Sequence, residues 1–326
     1  MFPIPVLITI FNRADTTSRV LDAVAAVKPS TLLVAADGPR NIDEKEKCIE
    51  TRKIVERINW PCEVLTNFSD ENLGCGVRVQ TAIDWAFSRF EELIILEDDC
   101  VPVPSFFSYC AELLQRYRQD ERIMHIGGFN LHPAIPVTEE TYFFSKYTIA
   151  SGAWATWRRA WKHFDSSLAT WPEAKRKGIL ENWCEDRLER EHWASIFDRM
   201  SLGAPDVWDY QWTYSCWSQN GLSILPCVPL AINIGFGKDA THTTSAIPIL
   251  ERQPGEVREI HHPSVVTRLH AIDNEMFEQS MGGSALRRAS SWQFRIRHKS
   301  RHLLSPLRKL KRIIRNALAG GQDVRN

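Results

Sequence analysis

Residues 93–100 read Leu93-Ile94-Ile95-Leu96-Glu97-Asp98-Asp99-Cys100, and Val101 and Pro102 follow. Four consecutive apolar residues without polar alternation describe a strand buried on both faces, the kind found in parallel sheets covered by helices. The three acids then emerge at its carboxyl end, which is where open α/β sheets bind ligands. Adjacent carboxylates need a compensating cation. A hard divalent ion such as Mn2+ or Mg2+ takes oxygen ligands, and a diphosphate can complete its shell. The competing reading is a solvated acidic turn, since charged residues are common in loops.

Upstream, the chain alternates strand and helix as successive βα units do. Pro5 to Phe11 is a first strand, followed by Asn12-Arg13 and a helix from Thr16 to Val27 with Asp15 as its cap. Leu32 to Ala36 is a second strand ending in Asp37-Gly38-Pro39-Arg40, and a helix over 44–58 leads to a third strand at Cys62 to Thr66. Asn72-Leu73-Gly74-Cys75-Gly76 opens the next helix, 77–90, with Val77, Ala82, Ile83, Ala86, Phe87 and Phe90 as its apolar stripe. Right-handed crossovers with parallel pairing are the default for such a series, so the strand ends share one rim. Three ends carry polar groups suited to a nucleotide: Arg13, Asp37, and the trio Glu97, Asp98 and Asp99. One polar loop residue means little, whereas recurrence at converging ends marks a site. Neither GxGxxG nor a P-loop is present, so a metal ion would have to neutralise the phosphates.

With 326 residues, 44% hydrophobic and 25% charged, the composition is that of a globular chain able to bury a large core. A formal net charge of zero hides two regions. Residues 287–315 hold eleven Lys or Arg and no Asp or Glu, which leaves the chain upstream acidic. Within 287–318 the basic residues alternate with apolar ones, and Pro306 to Leu318 makes a short amphipathic helix suited to an anionic membrane surface; a solvated, disordered tail is the alternative. No nucleic-acid-binding motif accompanies it. Eight cysteines form no CxxC pair and no zinc spacing, as expected of free thiols in a reducing cytosol. The apolar start, Phe2 to Phe11, contains Pro3 and Pro5 and is a strand rather than a leader, and no stretch approaches the ~20 apolar residues of a membrane span.

Residues 151–245 carry nine tryptophans, at 154, 157, 161, 171, 183, 193, 208, 212 and 217. Trp mostly signals core packing, although indoles also stack on sugar faces, which leaves an acceptor platform open. In Trp208-Asp209-Tyr210-Gln211-Trp212 an Asp between aromatics loses solvation, which raises its pKa towards that of a general base. Asp206, Glu185 and Asp186 compete for that role, and the plainer reading makes Asp209 the cap of a helix beginning near Tyr210. After the apolar run Ile224 to Ile234, the segment from Gly235 to His242 is a loop able to fold over phosphates, with Lys238 placed to pair with a phosphate oxygen. A lone loop His such as His242 is most often solvated.

The ordered set PVLITIFNR, VAADGPR, NLGCG before a helix, and LIILEDDC followed by VPVPSFFSYC resembles the nucleotide-binding half of GT-A glycosyltransferases, over residues 4–245. It is similar in particular to the branch that includes N-acetylglucosaminyltransferase I and to bacterial hemolytic protein HlpA-like proteins. The resemblance implies an α/β fold of GT-A (Rossmann-like) type, a mixed, mainly parallel sheet flanked by helices, with a basic C-terminal extension. It implies a nucleotide-sugar-binding half at 1–110, an acceptor and catalytic half of the same domain at 111–250, and the extension at 251–326. By the same resemblance Asp99 contacts the metal, Glu97 and Asp98 approach sugar and ribose hydroxyls, Arg13 and Asp37 lie near the nucleoside, His242 joins the metal or diphosphate, and Asp209 is the base. Ser151 to Trp157 resembles the flexible Gly-Trp segment of the acceptor side.

The implied activity is a Mn2+- or Mg2+-dependent, inverting transfer of a hexosyl or N-acetylhexosaminyl group. The donor would be a nucleotide sugar, a UDP-sugar, and the acceptor a glycan or lipid-linked molecule in bacterial surface polysaccharide synthesis at the cytoplasmic membrane face. The alternative is a non-catalytic nucleotide-sugar-binding or membrane-associated interaction protein.

Overall fold

A computed structural model describes residues 1–132, 139–150, 152–203, 206–236 and 250–291. Its first elements are β1 (Val6–Ile10), α1 (Ala14–Val27), β2 (Thr31–Ala36), α2 (Ile42–Arg52), β3 (Glu63–Phe68), α3 (Cys75–Phe87) and β4 (Glu92–Glu97). β1 pairs in parallel with both β2 and β4, and β2 with β3, giving the order β3-β2-β1-β4. The chain therefore reverses its direction of travel across the sheet between β1 and β4. That switch opens a crevice above the carboxyl ends of the two strands, because the following connections leave to opposite sides.

Local details depart from the sequence reading in several places: β3 runs on to Phe68, and α3 ends at Phe87, which leaves Phe90 beyond the helix. Arg13, not Asp15, is the residue before α1, and Asp15 lies in the first helical turn. The helix expected over 44–58 ends at Arg52 and continues as a 3-10 segment, Lys53–Arg57. Val77 is 50% exposed and stands off the apolar stripe of α3, whose buried face is Val79, Ala82, Ile83, Ala86 and Phe87.

Beyond β4 come β5 (Cys100–Pro102), α4 (Pro104–Arg116), β6 (Ile123–Gly127), β7 (Tyr142–Ser145), β8 (Ala153–Trp157), α5 (Arg158–Trp161), α6 (Trp171–Arg176) and α7 (Ile179–Trp183). These are followed by α8 (Arg187–Met200), α9 (Asp209–Ser218), β9 (Leu222–Pro226), β10 (Ala231–Asn233), α10 (His270–Ser280) and α11 (Gly283–Ser290). β8 lies antiparallel between β4 and β6, β9 is parallel to β6, and β7 closes the far edge antiparallel to β9. The eight-stranded sheet is thus mixed and mainly parallel, with helices on both faces, as expected. β10 pairs with β5 in a separate two-stranded sheet just beyond the acids.

The alternation of β1 divides the core. Val6, Ile8 and Ile10 face a cluster built with α1 and α4, whereas Leu7 faces a second cluster with α3 and with Trp154, Trp161, Trp208 and Trp212. Each such fully buried aliphatic side chain contributes roughly 1.5–3 kcal/mol. The segment 153–157, expected to be a flexible acceptor-side loop, is instead the central strand β8, because its residues pair with Glu92 to Leu96 and are buried throughout. All nine tryptophans of this region are buried, so none forms an exposed platform; their large apolar area is spent on packing.

Residues 270–290 also belong to the packed body. Met276 and Phe277 of α10 enter the larger cluster, and buried Asp273 accepts hydrogen bonds from Ser145 Oγ at 2.5 Å and Arg268 Nε at 2.5 Å. The basic segment beyond Ser291 lies outside the described residues. Among the described residues no helix is long and apolar enough to cross a membrane.

Candidate active site

A pocket of about 470 Å³ sits at the switch point, lined by the ends of β1, β2 and β4, the start of α3, residues 206–210 and residues 233–236. Arg13, Asp37, Glu97, Asp98, Asp99 and Asp209 all line it. The structure therefore brings together six of the eight residues singled out from the sequence. Lys238 and His242 lie outside the described residues.

At the tip of β4, Arg13 Nη2 donates to Asp98 Oδ1 and, at 2.9 Å, to Asp99 Oδ2. The backbone N–H of Phe11 reaches Asp98 Oδ2 at 3.4 Å. Among the described residues, the counter-charge to the acids is thus a guanidinium delivered by the end of β1. Burial by itself disfavours the Arg13 cation, but Asp98 and Asp99 outweigh it and raise its pKa further. Burial pushes Asp98 up to about 6, against the pull of Arg13 and with a further push from Asp99. Glu97 is driven well above the carboxylate range, first by burial and then by Asp99, Asp98 and Asp209. Glu97 and Asp98 therefore resist full ionisation, and added positive charge at the tip would favour their ionised forms.

Position 235 completes this tip. The Ile234 N–H donates to Asp99 O at 2.8 Å, and the Asn233 amide nitrogen lies 3.5 Å from Asp99 Oδ1. Gly235 then passes so close that a Cβ there would lie 1.9 Å from Asp99 Oδ2. Only a residue without a side chain fits, whatever its backbone angles.

Asp37 forms a second polar centre at the end of β2. Its Oδ1 accepts from the N–H groups of Gly38 and Leu73, both at 2.9 Å, and its Oδ2 accepts from Asn72 Nδ2 at 3.0 Å. Burial raises its pKa, and those backbone donors with Arg78 oppose the rise. Phe11, with the Arg40 guanidinium 5.3 Å above its ring, supplies a flat wall beside this centre. A carboxylate, an amide and an aromatic face make a site for a planar heterocycle with exchangeable N–H groups.

Across the pocket, Asp209 opens α9, half-buried, with Trp208 before it. It is the first helical residue rather than the cap, a position taken by Trp208. Its rivals are engaged elsewhere. Asp206 accepts from the N–H groups of Cys75 and Gly76, Glu185 pairs with His270, and Asp186 caps α8 through Leu188 N at 2.7 Å while binding Arg287 at 2.9 Å. Neither Glu185 nor Asp186 lines the pocket.

Sequence reasoning missed Asn72 as the partner of Asp37, Asp206 as a structural carboxylate, and Asn233 and Gly235 as neighbours of Asp99. The glycine spacing in NLGCG and the Asn-Ile-Gly run were the visible signals.

The donor chemistry suits a hard divalent cation, since the tip offers carboxylate oxygens and no soft ligand is needed. Among the described residues no group of three His, Cys, Asp or Glu side chains is arranged to hold a metal. The protein's described share would then be one or two carboxylates, Asp99 foremost, with phosphate oxygens completing the shell as Mg2+-type sites allow.

No protein-family model matches the chain, and no curated protein matches it. Among solved structures it is similar to the crystal structure of GalNAc-T7 with UDP, GalNAc and Mn2+, at 12% identity and a TM-score of 0.40 over 70% of this chain. It is also similar to the crystal structure of S. aureus TarS 1-349, at 12% identity and a TM-score of 0.39 over 68% of this chain. The chain spans 43% and 57% of those two chains. Likeness at this level assigns no residue and no reaction.

Proposed function

We propose that the protein is a metal-dependent glycosyltransferase that takes a sugar from a UDP-sugar and passes it, with inversion, to a hydroxyl of a glycan or lipid-linked acceptor. The observation that carries this reading is the convergence of Arg13, Asp37, Glu97, Asp98, Asp99 and Asp209 on one pocket at the sheet's switch point. Asp37 and Asn72 with the Phe11 face receive the base. In this reading Glu97 and Asp98 accept from sugar and ribose hydroxyls. Asp99 would hold Mn2+ or Mg2+, which when bound supplies charge stabilisation to the departing diphosphate. Arg13, already at the tip, adds a fixed positive charge on the same side.

Inversion requires attack from the face opposite the leaving group. Asp209, which lines the same pocket from the start of α9, is the group that takes the proton from the acceptor hydroxyl as it attacks the anomeric carbon. Lys238 would pair with a phosphate oxygen, and His242 would join the metal or the diphosphate. A basic 287–318 segment at an anionic membrane surface would place the enzyme near a lipid-linked acceptor. In this reading the activity serves bacterial surface polysaccharide synthesis, with the chain peripheral to the inner membrane face.

Thermal shift with UDP, CDP, GDP and ADP, each with and without Mn2+, tests the donor assignment. A ligand at about 100 times its Kd adds roughly 2.7 kcal/mol of apparent stability, enough to move the transition by several degrees. UDP with Mn2+ should give the largest rise, and no rise with any nucleotide would overturn the proposal. UDP binding without UDP release from UDP-glucose, UDP-galactose, UDP-GlcNAc or UDP-GalNAc in the presence of cell-envelope acceptors would assign a non-catalytic binder instead.

A further inference from the structure

Asp206 lines the pocket, yet both its oxygens are spoken for. Oδ2 accepts the Cys75 N–H at 2.8 Å and Oδ1 accepts the Gly76 N–H at 2.7 Å. These are first-turn amides of α3, whose own preceding residue, Gly74, has no side chain to offer. A carboxylate supplied from 131 residues further along therefore satisfies orphan donors at the positive end of the helix. The approach is close. A Cβ on Gly74 would lie 2.5 Å from Asp206 Oδ2, and one on Gly76 would lie 3.0 Å from Asp206 Oδ1 and 3.0 Å from Val207 O. The paired glycines of Asn72-Leu73-Gly74-Cys75-Gly76 are thus shaped to receive residues 206 and 207.

Three residues on is Asp209. On the core side its helix is held by aromatic packing: Trp208 stacks on Trp154 at 5.4 Å, and Trp212 lies 5.9 Å from Trp154 and donates to His125 Nδ1 at 3.3 Å. On the pocket side, Asp206 ties the segment just before that helix to the start of α3. The same glycine turn also carries Asn72 and Leu73, which hold Asp37.

We infer that Asp206 is a positioning residue: its bidentate grip on the start of α3 fixes Asp209 over the donor pocket and couples it to the turn that shapes the Asp37 centre. The inference rests on the reading of Asp209 as the base, and the grip itself is testable without turnover. Asp206→Ala removes both acceptors, and Asp206→Asn keeps one carbonyl oxygen for them. For turnover, Asp206→Ala should lower kcat for UDP release roughly 10- to 100-fold, the scale of a small misplacement of a reacting group. Its Kd for UDP with Mn2+ should stay within about twofold, and Asp206→Asn should recover part of the rate. A loss in UDP affinity equal to the loss in kcat would overturn the positioning role, as would an unchanged kcat.

The turnover-independent arm uses Cys75, which is part-exposed and whose thiol is raised by burial and by Glu97, Asp206 and Asp209. In the full-length protein, Asp209→Asn should speed alkylation of Cys75 by iodoacetamide at fixed pH, read by peptide mass, because a neighbouring anion suppresses the thiolate. In the Asp206→Ala background that acceleration should fall to less than half. Should Asp206→Ala fail to fold, Asp206→Asn serves as the background, with a partial fall expected. An undiminished acceleration in the background that folds shows Asp209 stays in place without the grip and overturns the inference. Failure of the wild type to bind UDP or release it from any donor would sink the transferase reading while this arm still decides the grip.

Discussion

The two halves of the sheet do different work with the same layer of backbone. In β3-β2-β1-β4 all strands are parallel, so their carboxyl ends deliver Arg13, Asp37 and the β4 acids to one rim. In β8-β6-β9-β7 the directions are mixed, the side chains are dominated by buried aromatics, and the neighbouring helix α9 supplies a single acid to the same pocket. Parallel strands gather chemistry because their ends coincide. Antiparallel strands scatter their ends, and this half contributes a rigid wall instead.

The largest expected effect crosses that divide. Asp209→Asn should cut transfer about 10²- to 10⁴-fold, the usual contribution of a general base, while UDP affinity with Mn2+ stays within about twofold. Initial rates beside calorimetric titration would check this, and a loss of affinity matching the loss of rate would erase the functional distinction between the halves.

Next, Trp171→Ala in the aromatic half should cost roughly 3–5 kcal/mol of stability by urea titration, because its ring is 1% exposed and packs on Phe197 and Tyr214. The folded fraction should still bind UDP. Asp99→Ala should do the reverse, leaving the melting temperature within a few degrees and weakening Mn2+-dependent UDP binding about 10- to 100-fold.

The smallest effect is a pair of opposed pH slopes. Burial lowers His125, in the aromatic half, from 6.5 to about 3, so as pH falls below 6.5 the unfolded chain gains a proton that the folded one refuses, and stability drops. Asp98, raised from 3.8 to about 6, gains its proton in the folded state first, so acidification from 6 towards 4 favours the fold. Each slope approaches ~1 kcal/mol per pH unit. Relative to wild type, His125→Gln should remove the acid-side loss and Asp98→Asn should steepen it, as calorimetric melting between pH 4 and 6.5 would show.

The parallel half was legible because each buried strand is one apolar run closed by a polar residue, a pattern that records both its period and its end. β8 was not. Its Ala153 to Trp157 pairs with β4 some sixty residues away, and nothing local distinguishes a strand in that register from a Gly-Trp loop. The tryptophans announced burial but not which face of the sheet they would cover. Asp206 looked like a rival base because a cap for a helix 131 residues earlier leaves no mark in its own neighbourhood. The glycines at 74 and 76 advertised a close approach without naming the visitor. For Arg13 the residue was found, but its partnership with Asp98 and Asp99 depends on the parallel register of β1 and β4, which brings Thr9 beside Glu97.

Gly235 gives the molecule a point of failure that involves no charge at all. A lone methyl group introduced there would act as a wedge, levering the terminal carboxylate of the β4 tip out of its seat while every acid remained in the sequence. A homologue could thus be disarmed by a substitution that a search for missing acids would pass over, and residue 235 is the first place to inspect in any relative that keeps the acidic trio but has lost its activity.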